Sequence, residues 1–322
     1  MHKTFARLLS GLAVLMAGPA FAQGAYPEQP ISIVVPFAPG GASDITARVL
    51  ADQLAKDTGW KIIVENKAGA GGSIAATQVA RAAADGYTLL FGTTNTNGIN
   101  SYMYKLNYDA VKSFEPVGFV AENVVVLLAN ASFPANNLDE AIALIRKEPG
   151  KYSYASPGQG TVHQLAMELL KKSKDLQLTH IPYKGAGPAM VDLVGDTVPL
   201  MIGGIAPAKS FIESGKVKVL AVANDRKFKN VPANVQYFSD AAPDAAVSSW
   251  LGLFAPKGTP SERIKTLSDA LQKSLSSPEL QKTLEDQGMQ AEFMSPQAFG
   301  KQVEDGMGFW KKAVDAAGIK SE

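Results

Sequence analysis

The chain has 322 residues, a formal net charge of +1 and no cysteine. The near balance of 31 basic and 30 acidic residues excludes the clustered positive charge that nucleic-acid-binding domains need. The absence of cysteine excludes disulfides, thiolate nucleophiles and cysteine-based metal sites. The length is sufficient for one large or two medium α/β domains.

The N-terminal segment has the pattern of an export signal. Lys3 and Arg7 form a basic region, residues 8–17 are apolar, and residues 18–22 end in Ala-x-Ala. The apolar run is too short to span a bilayer, and no cysteine follows it to carry a lipid. We therefore predict that residues 1–22 are a cleaved signal peptide and that the mature protein is located in the periplasm.

Short apolar strands then alternate with amphipathic helices, which is typical of βαβ units around a parallel sheet. The first predicted elements are strand 31–35, helix 43–56, strand 61–65, helix 73–84 and strand 87–92. Residues 116–129 form a long extended apolar run, which we interpret as a segment that crosses between two lobes.

The alternation restarts after this crossing. The predicted elements are helix 138–147, strand 152–155, helix 163–172, strand 179–183, helix 188–194, and strands 199–202 and 218–222. Residues 249–255 are interpreted as the return crossing, and helices are predicted at 261–274, 278–287 and 296–316, packing on the first lobe. We thus expect lobe 1 to comprise residues 23–122 plus 250–322, lobe 2 to comprise residues 123–249, and a hinged cleft to separate them.

Two glycine-rich turns, each leading from a strand into a helix, are the most informative features. The first lies within residues 34–45, and the second lies within residues 154–163. The start of a helix presents unpaired backbone N–H groups and the positive end of the helix dipole, which together attract an anion. Two such turns in separate lobes predict the capture of a small carboxylate rather than chemistry on it.

The sequence offers little for catalysis or cofactor binding. Residues 41–45 lack the second glycine of G-x-S-x-G, and Ile74 occupies the position of the third glycine of G-x-G-x-x-G. Apart from His2, the only histidines are His163 and His180, and they do not have the spacing of metal ligands. We predict no catalytic residue, no metal and no cofactor.

Polar residues beside the turns are candidate ligand contacts, and several also fit a structural role. The candidates are Ser43 in the first turn, Thr93 and Asn95 at the carboxyl end of a strand, and Ser156, Gly160, Thr161 and His163 in the second turn. Ser43 and Thr161 also fit as helix caps, and His163 also fits as a surface side chain. Lys184, at the same sheet edge, fits either the neutralisation of a distal carboxylate of the ligand or a solvent-exposed position, and we favour the exposed position. Asp44 is expected to stabilise its turn, since a carboxylate opposes an anion.

Several stretches in the same order resemble the Bug-type solute receptors of tripartite tricarboxylate transporters. They are YPEQPI from Tyr26, VVPFAPGGASD from Val34, VENKAGAGG from Val64, ADGYTL from Ala84, YASPG from Tyr154 and IPYKGAGPA from Ile181. The resemblance extends over essentially the whole chain after the predicted signal peptide.

This resemblance implies a type II-like, two-lobe periplasmic-binding-protein fold of the α/β class. Each lobe would hold a mostly parallel sheet flanked by helices, with the ligand cleft between the lobes. The resemblance also implies that the ligand is bound largely through backbone N–H groups and bridging waters. It therefore adds Phe37, Gly41 and Ala42 of the first turn to the candidates. The chain departs from a frequent family pattern at Gln159 and Val162, where small or polar residues are common.

The sequence therefore predicts a monomeric periplasmic receptor. It would capture a small organic carboxylate, either a dicarboxylate or an aromatic carboxylate, and deliver it to the integral-membrane permease of a tripartite transporter. Two alternatives stay open at this point: a receptor that signals to a membrane sensor kinase, and a periplasmic enzyme.

Overall fold

The computed structural model describes residues 26–228 and 231–319, so the predicted signal peptide, residues 1–22, lies outside the described residues. The strands of these ranges are β1 (Ile31–Val35), β2 (Ile62–Asn66), β3 (Thr88–Thr93), β4 (Phe114–Asn123), β5 (Val125–Asn130), β6 (Ser153–Ser156), β7 (Thr179–Pro182), β8 (Leu200–Gly204), β9 (Val217–Val222), β10 (Trp250–Pro256) and β11 (Met289–Met294).

The α-helices of the same ranges lie between and after these strands. They are α1 (Ala42–Thr58), α2 (Ser73–Ala80), α3 (Asn100–Met103), α4 (Leu138–Lys147), α5 (Val162–Lys174), α6 (Ala186–Val194), α7 (Lys209–Glu213), α8 (Phe238–Ala241), α9 (Ser261–Leu275), α10 (Pro278–Asp286) and α11 (Pro296–Ala317). In the described part of the chain, no helix is both long enough and apolar enough to cross a membrane.

The strands form two sheets. The first has the order β11-β4-β10-β3-β1-β2, and the second has the order β7-β6-β8-β5-β9. The chain passes from one sheet to the other at Val124, because β4 ends in the first sheet at Asn123 and β5 begins the second at Val125. It returns to the first sheet with β10.

The α/β two-lobe architecture is confirmed, but both sheets are mixed rather than mostly parallel. In the first sheet β1 pairs in parallel with β2 and β3, whereas β10 runs antiparallel to β3 and β4, and β11 runs antiparallel to β4. In the second sheet β6 is parallel to β7 and β8, whereas β5 is antiparallel to β8 and β9. The difference arises because the crossing strands β4, β5 and β10 are themselves sheet members and run against their neighbours.

Buried apolar side chains cover both faces of each sheet, as expected for helices packed on both sides. Helices α9 and α10 pack on the first sheet, as the sequence predicts. Helix α11 does not stay on that lobe. Its residues Phe299 and Val303 join the core of the first sheet, whereas Trp310 and Val314 join the core of the second.

Candidate functional site

A cavity of about 40 Å³ lies where residues of the two lobes meet. A single water needs roughly 10–15 Å³ on the same measure, so the lobes close tightly around this space. The lining contains no Asp, Glu, Lys or Arg. It comprises Phe37, Gly41, Ala42, Ser43, Thr93, Thr94, Asn95, Asn123, Pro157, Val162, His163, Ala186, Gly204, Ser249 and Leu251.

The first turn places the start of α1 against this cavity. Gly40 adopts φ +81°, a left-handed conformation that favours glycine, and Gly41 is the N-cap without any side-chain cap. The N–H groups of Ala42 and Ser43 have no hydrogen-bond partner among the described residues. All four predicted contacts of this turn, Phe37 included, line the cavity.

Asp44 is used by the turn itself, as the sequence predicts. Its carboxylate accepts hydrogen bonds from the N–H of Gly40 at 2.9 Å, from Nε of Arg48 at 3.0 Å and from Nδ2 of Asn66 at 2.9 Å. Burial by itself would raise the pKa of Asp44, but these hydrogen bonds outweigh it and hold the pKa below its usual value. The charge is thereby paired, and Asp44 does not line the cavity.

The loop after β3 joins the two lobes. Thr93 and Asn95, which the sequence predicts to contact the ligand, both line the cavity. Oγ1 of Thr93 accepts a hydrogen bond from the N–H of Asn95 at 3.2 Å, which holds the loop in shape. Oδ1 of Asn95 accepts a hydrogen bond of 2.7 Å from the N–H of Val162, the first residue of α5. Asn95 therefore accepts from one of the N–H groups at the start of α5, where the sequence predicts that a ligand binds.

Most polar groups of the second turn form hydrogen bonds within the turn itself. Thr161 is the N-cap of α5: its Oγ1 accepts from the N–H of Gln164 at 3.4 Å and donates to the carbonyl of Gly158 at 2.8 Å. Gly160 donates its N–H to Oε1 of Gln164 at 2.7 Å. Neither Thr161 nor Gly160 lines the cavity, so their direct contact with a ligand stays a prediction.

Ser156, another predicted contact of this turn, is fully buried, and its Oγ lies 2.6 Å from Nε2 of His180. Its Oγ also accepts the N–H of Gly158 at 3.2 Å. A serine bonded to a histidine is the nucleophile–base contact that the sequence reasoning does not find. The pair does not line the cavity, and in this arrangement it supports the turn.

His163 lines the cavity, so the surface alternative does not apply to it. Both ring nitrogens are shielded from solvent and have no hydrogen-bond partner among the described residues. Burial lowers the pKa of His163 to about 4, so the imidazole is neutral at pH 7. Lys184 is exposed and does not line this cavity.

The start of a third helix, α6, also lies at the cavity. The sequence predicts this helix to begin at residue 188, two residues after its observed start. Helix α6 begins at Ala186, and a Cβ added at Gly41 would lie 3.9 Å from both the Cβ and the N of Ala186. Gly185 has φ +136°, and a Cβ there would come within 3.0 Å of Cβ of Ala38. The absence of a side chain at Gly185 thus lets the start of α6 approach the first turn across the cleft.

Asn123, Ser249 and Gly204 are further lining residues that the sequence analysis misses. Asn123 lies in the middle of the predicted crossing segment 116–129, and Ser249 is the first residue of the predicted crossing segment 249–255. Both segments are recognisable as apolar runs but carry no signal for polar ligand contacts. Gly204 ends β8, and a Cβ there would lie 2.8 Å from Cβ of Ala42 and 2.9 Å from Oδ1 of Asn123. Close approach of three chain segments explains the glycine at this position.

The starts of three helices, α1, α5 and α6, therefore surround an uncharged cavity. A helix start without a side-chain cap, as in α1 and α6, contributes about 0.3–1 kcal/mol toward binding an anion, and up to ~2 kcal/mol where it is partly buried. Within residues 26–228 and 231–319, no group of three or more His, Asp or Glu side chains could hold a metal ion. The arrangement is suited to holding an anion without a metal or a charged side chain.

The chain is similar to one family model and to several solved structures. Residues 46–319 match the model of the tripartite tricarboxylate transporter family receptor. The periplasmic binding protein BugD has a solved structure with 35% identity and a TM-score of 0.87, covering 92% of this chain and 100% of BugD.

Two Rhodopseudomonas palustris proteins with bound ligands are also similar. One, solved with adipate, has 30% identity and a TM-score of 0.88, with coverage of 92% of this chain and 100% of its own. The other, MatC with bound malate, has 34% identity and a TM-score of 0.83, with coverage of 90% and 100%. The matched family model describes a receptor, and BugD is a periplasmic binding protein.

Proposed function

Because the chain belongs to the tripartite tricarboxylate transporter receptor family, we propose that it captures a small organic carboxylate between its lobes and delivers it to a membrane permease. Residues 1–22 would direct export to the periplasm, where the receptor acts as a monomer. Lobe 1, residues 23–122 plus 250–322, and lobe 2, residues 123–249, would close on the ligand.

The observation that carries this proposal is the unpaired backbone at the start of α1. Ala42 and Ser43, whose N–H groups have no hydrogen-bond partner among the described residues, line a cavity that has no charged side chain on its wall. An anion there would gain hydrogen bonds and the favourable end of the helix dipole. A cation would meet the same dipole with the wrong sign and would find no carboxylate on the lining.

The helix starts alone do not provide a useful affinity. A micromolar dissociation constant corresponds to about 8 kcal/mol. The two helix ends without a side-chain cap, those of α1 and α6, supply roughly 0.6–4 kcal/mol together. Apolar contact with Phe37, Val162 and Leu251, which also line the cavity, would supply much of the remainder on closure.

The site and the neighbours both support a ligand class. Similar receptors were solved with adipate and with malate, which are both dicarboxylates. The apolar part of the lining also suits an aromatic ring. We therefore propose a dicarboxylate or an aromatic carboxylate as the ligand of this chain.

Calorimetry on the full mature chain tests the role of the carboxylate. A thermal-shift screen of aliphatic and aromatic carboxylates first identifies a binder, since a ligand raises the melting temperature by mass action. Its methyl ester removes one negative charge and keeps the rest of the molecule. We expect the ester to bind at least tenfold more weakly, about 1.4 kcal/mol. Equal affinity for acid and ester would contradict anion capture.

A further inference from the structure

Two lining residues present polar atoms that the fold leaves without a partner. They are Asn123, through Oδ1, and His163, through both ring nitrogens. Each of these atoms is shielded from solvent, and none has a hydrogen-bond partner among the described residues. Buried polar groups in native proteins are almost always hydrogen-bonded, so unpaired atoms on a cavity wall indicate what its occupant must offer.

The surroundings of Asn123 explain why its oxygen stays unpaired. The backbone N–H of Asn123 donates to the carbonyl of Ser249 at 2.8 Å, and its own carbonyl accepts from Nδ2 of Asn224 at 3.0 Å. Its side-chain Nδ2 points to Oγ of Ser249 at 3.4 Å. The side chain also lies beside Gly204 and the start of α1, because a Cβ on Gly204 would stand 2.9 Å from Oδ1 and 3.2 Å from Nδ2 of Asn123 and 2.8 Å from Cβ of Ala42. The residue is 3% exposed.

A ligand whose only polar group is a carboxylate does not match the unpaired atoms on the cavity wall. The amide oxygen of Asn123 is a hydrogen-bond acceptor only, so a second anionic oxygen placed against it would be repelled. A hydrogen-bond donor on the ligand would satisfy it. The neutral imidazole of His163 offers one N–H and one lone pair, which suits a group that both donates and accepts.

The charge of the lining decides which donor fits. An ammonium group would need an acidic partner, and the lining has none. The nearest carboxylate along the chain, Glu122, already accepts from the N–H of Ser249 at 2.7 Å and from Oγ of Ser248 at 3.0 Å. The donor is therefore best neutral, as in a hydroxyl or an amide N–H.

We propose that Asn123 is a specificity-determining residue, and that the ligand of this receptor is a carboxylate that also carries a neutral hydrogen-bond donor received by Oδ1 of Asn123. This inference rests on the proposed carboxylate capture and narrows it. Hydroxy-carboxylates are the simplest class with this chemistry.

Matched pairs that differ by a single hydroxyl test the proposal. The probes are succinate with malate, glutarate with 2-hydroxyglutarate, and benzoate with 4-hydroxybenzoate, measured by calorimetry on the mature chain. For at least one pair we expect the hydroxylated acid to bind at least tenfold more tightly. If the unsubstituted acid binds as tightly in every pair that binds, the proposal is wrong while carboxylate capture stands. If no carboxylate binds, both fail.

The variant Asn123→Ala tests whether Asn123 causes the preference for the hydroxylated acid. We expect it to bring the affinity ratio of the discriminating pair to within about twofold, chiefly by weakening the hydroxylated acid. Binding of the unsubstituted acid reports that the variant is folded. Asn95→Ala is the matched control, because Oδ1 of Asn95 is already occupied by Val162; it should weaken both acids and preserve the ratio. A ratio unchanged in Asn123→Ala would overturn the assignment.

Discussion

The two glycine turns have similar sequences and differ in what they leave for a ligand. In both, the residue three positions after the N-cap reaches back to the N–H before the N-cap: Asp44 to Gly40, and Gln164 to Gly160. The N-cap itself differs. Gly41 has no side chain, so the first turn of α1 keeps unpaired N–H groups. At the second turn, the hydroxyl of Thr161 caps the helix.

This difference shows that the capping residue decides whether a helix start is available for an anion. In α5 the cap takes the N–H of Gln164, and Asn95 of the other lobe takes the N–H of Val162. What the second lobe offers the cavity is mainly the imidazole of His163 and the start of α6. The first turn therefore contributes unpaired backbone N–H groups to the site, whereas the second turn contributes the side chain of His163.

The largest expected effect comes from filling the open turn. Gly41 has φ −84° and ψ 166°, which valine adopts without strain. The branched side chain of Gly41→Val would occupy the space beside Ala186, and we expect affinity for a confirmed ligand to fall at least a hundredfold, about 2.7 kcal/mol. Calorimetry and thermal melting measure the two consequences, and the melting temperature should change little.

Gly41→Ala is the matched control for this variant. Its Cβ would have only ordinary contacts, 3.7 Å from the carbonyl oxygen of Ala38 and 3.9 Å from Ala186. We expect a loss of affinity well below that of valine. A folded Gly41→Val protein with wild-type affinity would show that the first turn is not the binding site.

The histidines of the second lobe make stability depend on pH. Burial lowers the pKa of both His163 and His180 to about 4, from an ordinary value of 6.5. The unfolded chain therefore binds more protons between these values, and the free energy of unfolding falls as the pH falls from 6.5 toward 4. The ceiling is about 1.4 kcal/mol per pH unit for each histidine.

Melting temperatures of wild type and His180→Gln between pH 4 and 7 measure this dependence. The variant should show a shallower loss of stability on acidification. It should also be less stable at pH 7, because the hydrogen bond to Ser156 is lost or altered. A pH profile of the variant that runs parallel to that of the wild type would show that His180 does not contribute.

The smallest effect is expected at the cap of the second turn. Thr161→Val removes the hydroxyl that caps α5 and keeps the volume, so we expect a loss of about 1 kcal/mol in stability with affinity within twofold of wild type. Ser43→Ala is the opposite case, since Ser43 lines the cavity and does not cap α1. It should lower affinity and spare the melting temperature. If the Thr161→Val protein loses affinity but not stability, the hydroxyl of Thr161 serves the ligand and not the cap of α5.

Local patterns in the sequence predict most of the elements correctly. Helix α4 is predicted at 138–147 and observed at Leu138–Lys147, and α11 is predicted to end one residue before its observed end at Ala317. Strand β11 escapes prediction, because its residues Met289–Met294 lie at the edge of the sheet and are mostly half-buried. Even the capping role of Thr161 has a local signal, Thr-x-x-Gln, which matches a capping box.

The sequence by itself determined the helix and strand periodicity, the glycine turns and the family, because these depend on neighbouring residues and on motif order. Tertiary structure alone decided how the site is assembled. Asn123, Ser249 and Ala186 reach the cavity from distant segments, and Asn95 bonds to Val162 across 67 positions. Whether a backbone N–H or an imidazole nitrogen is left unpaired depends on such long-range partners, and no local pattern records them.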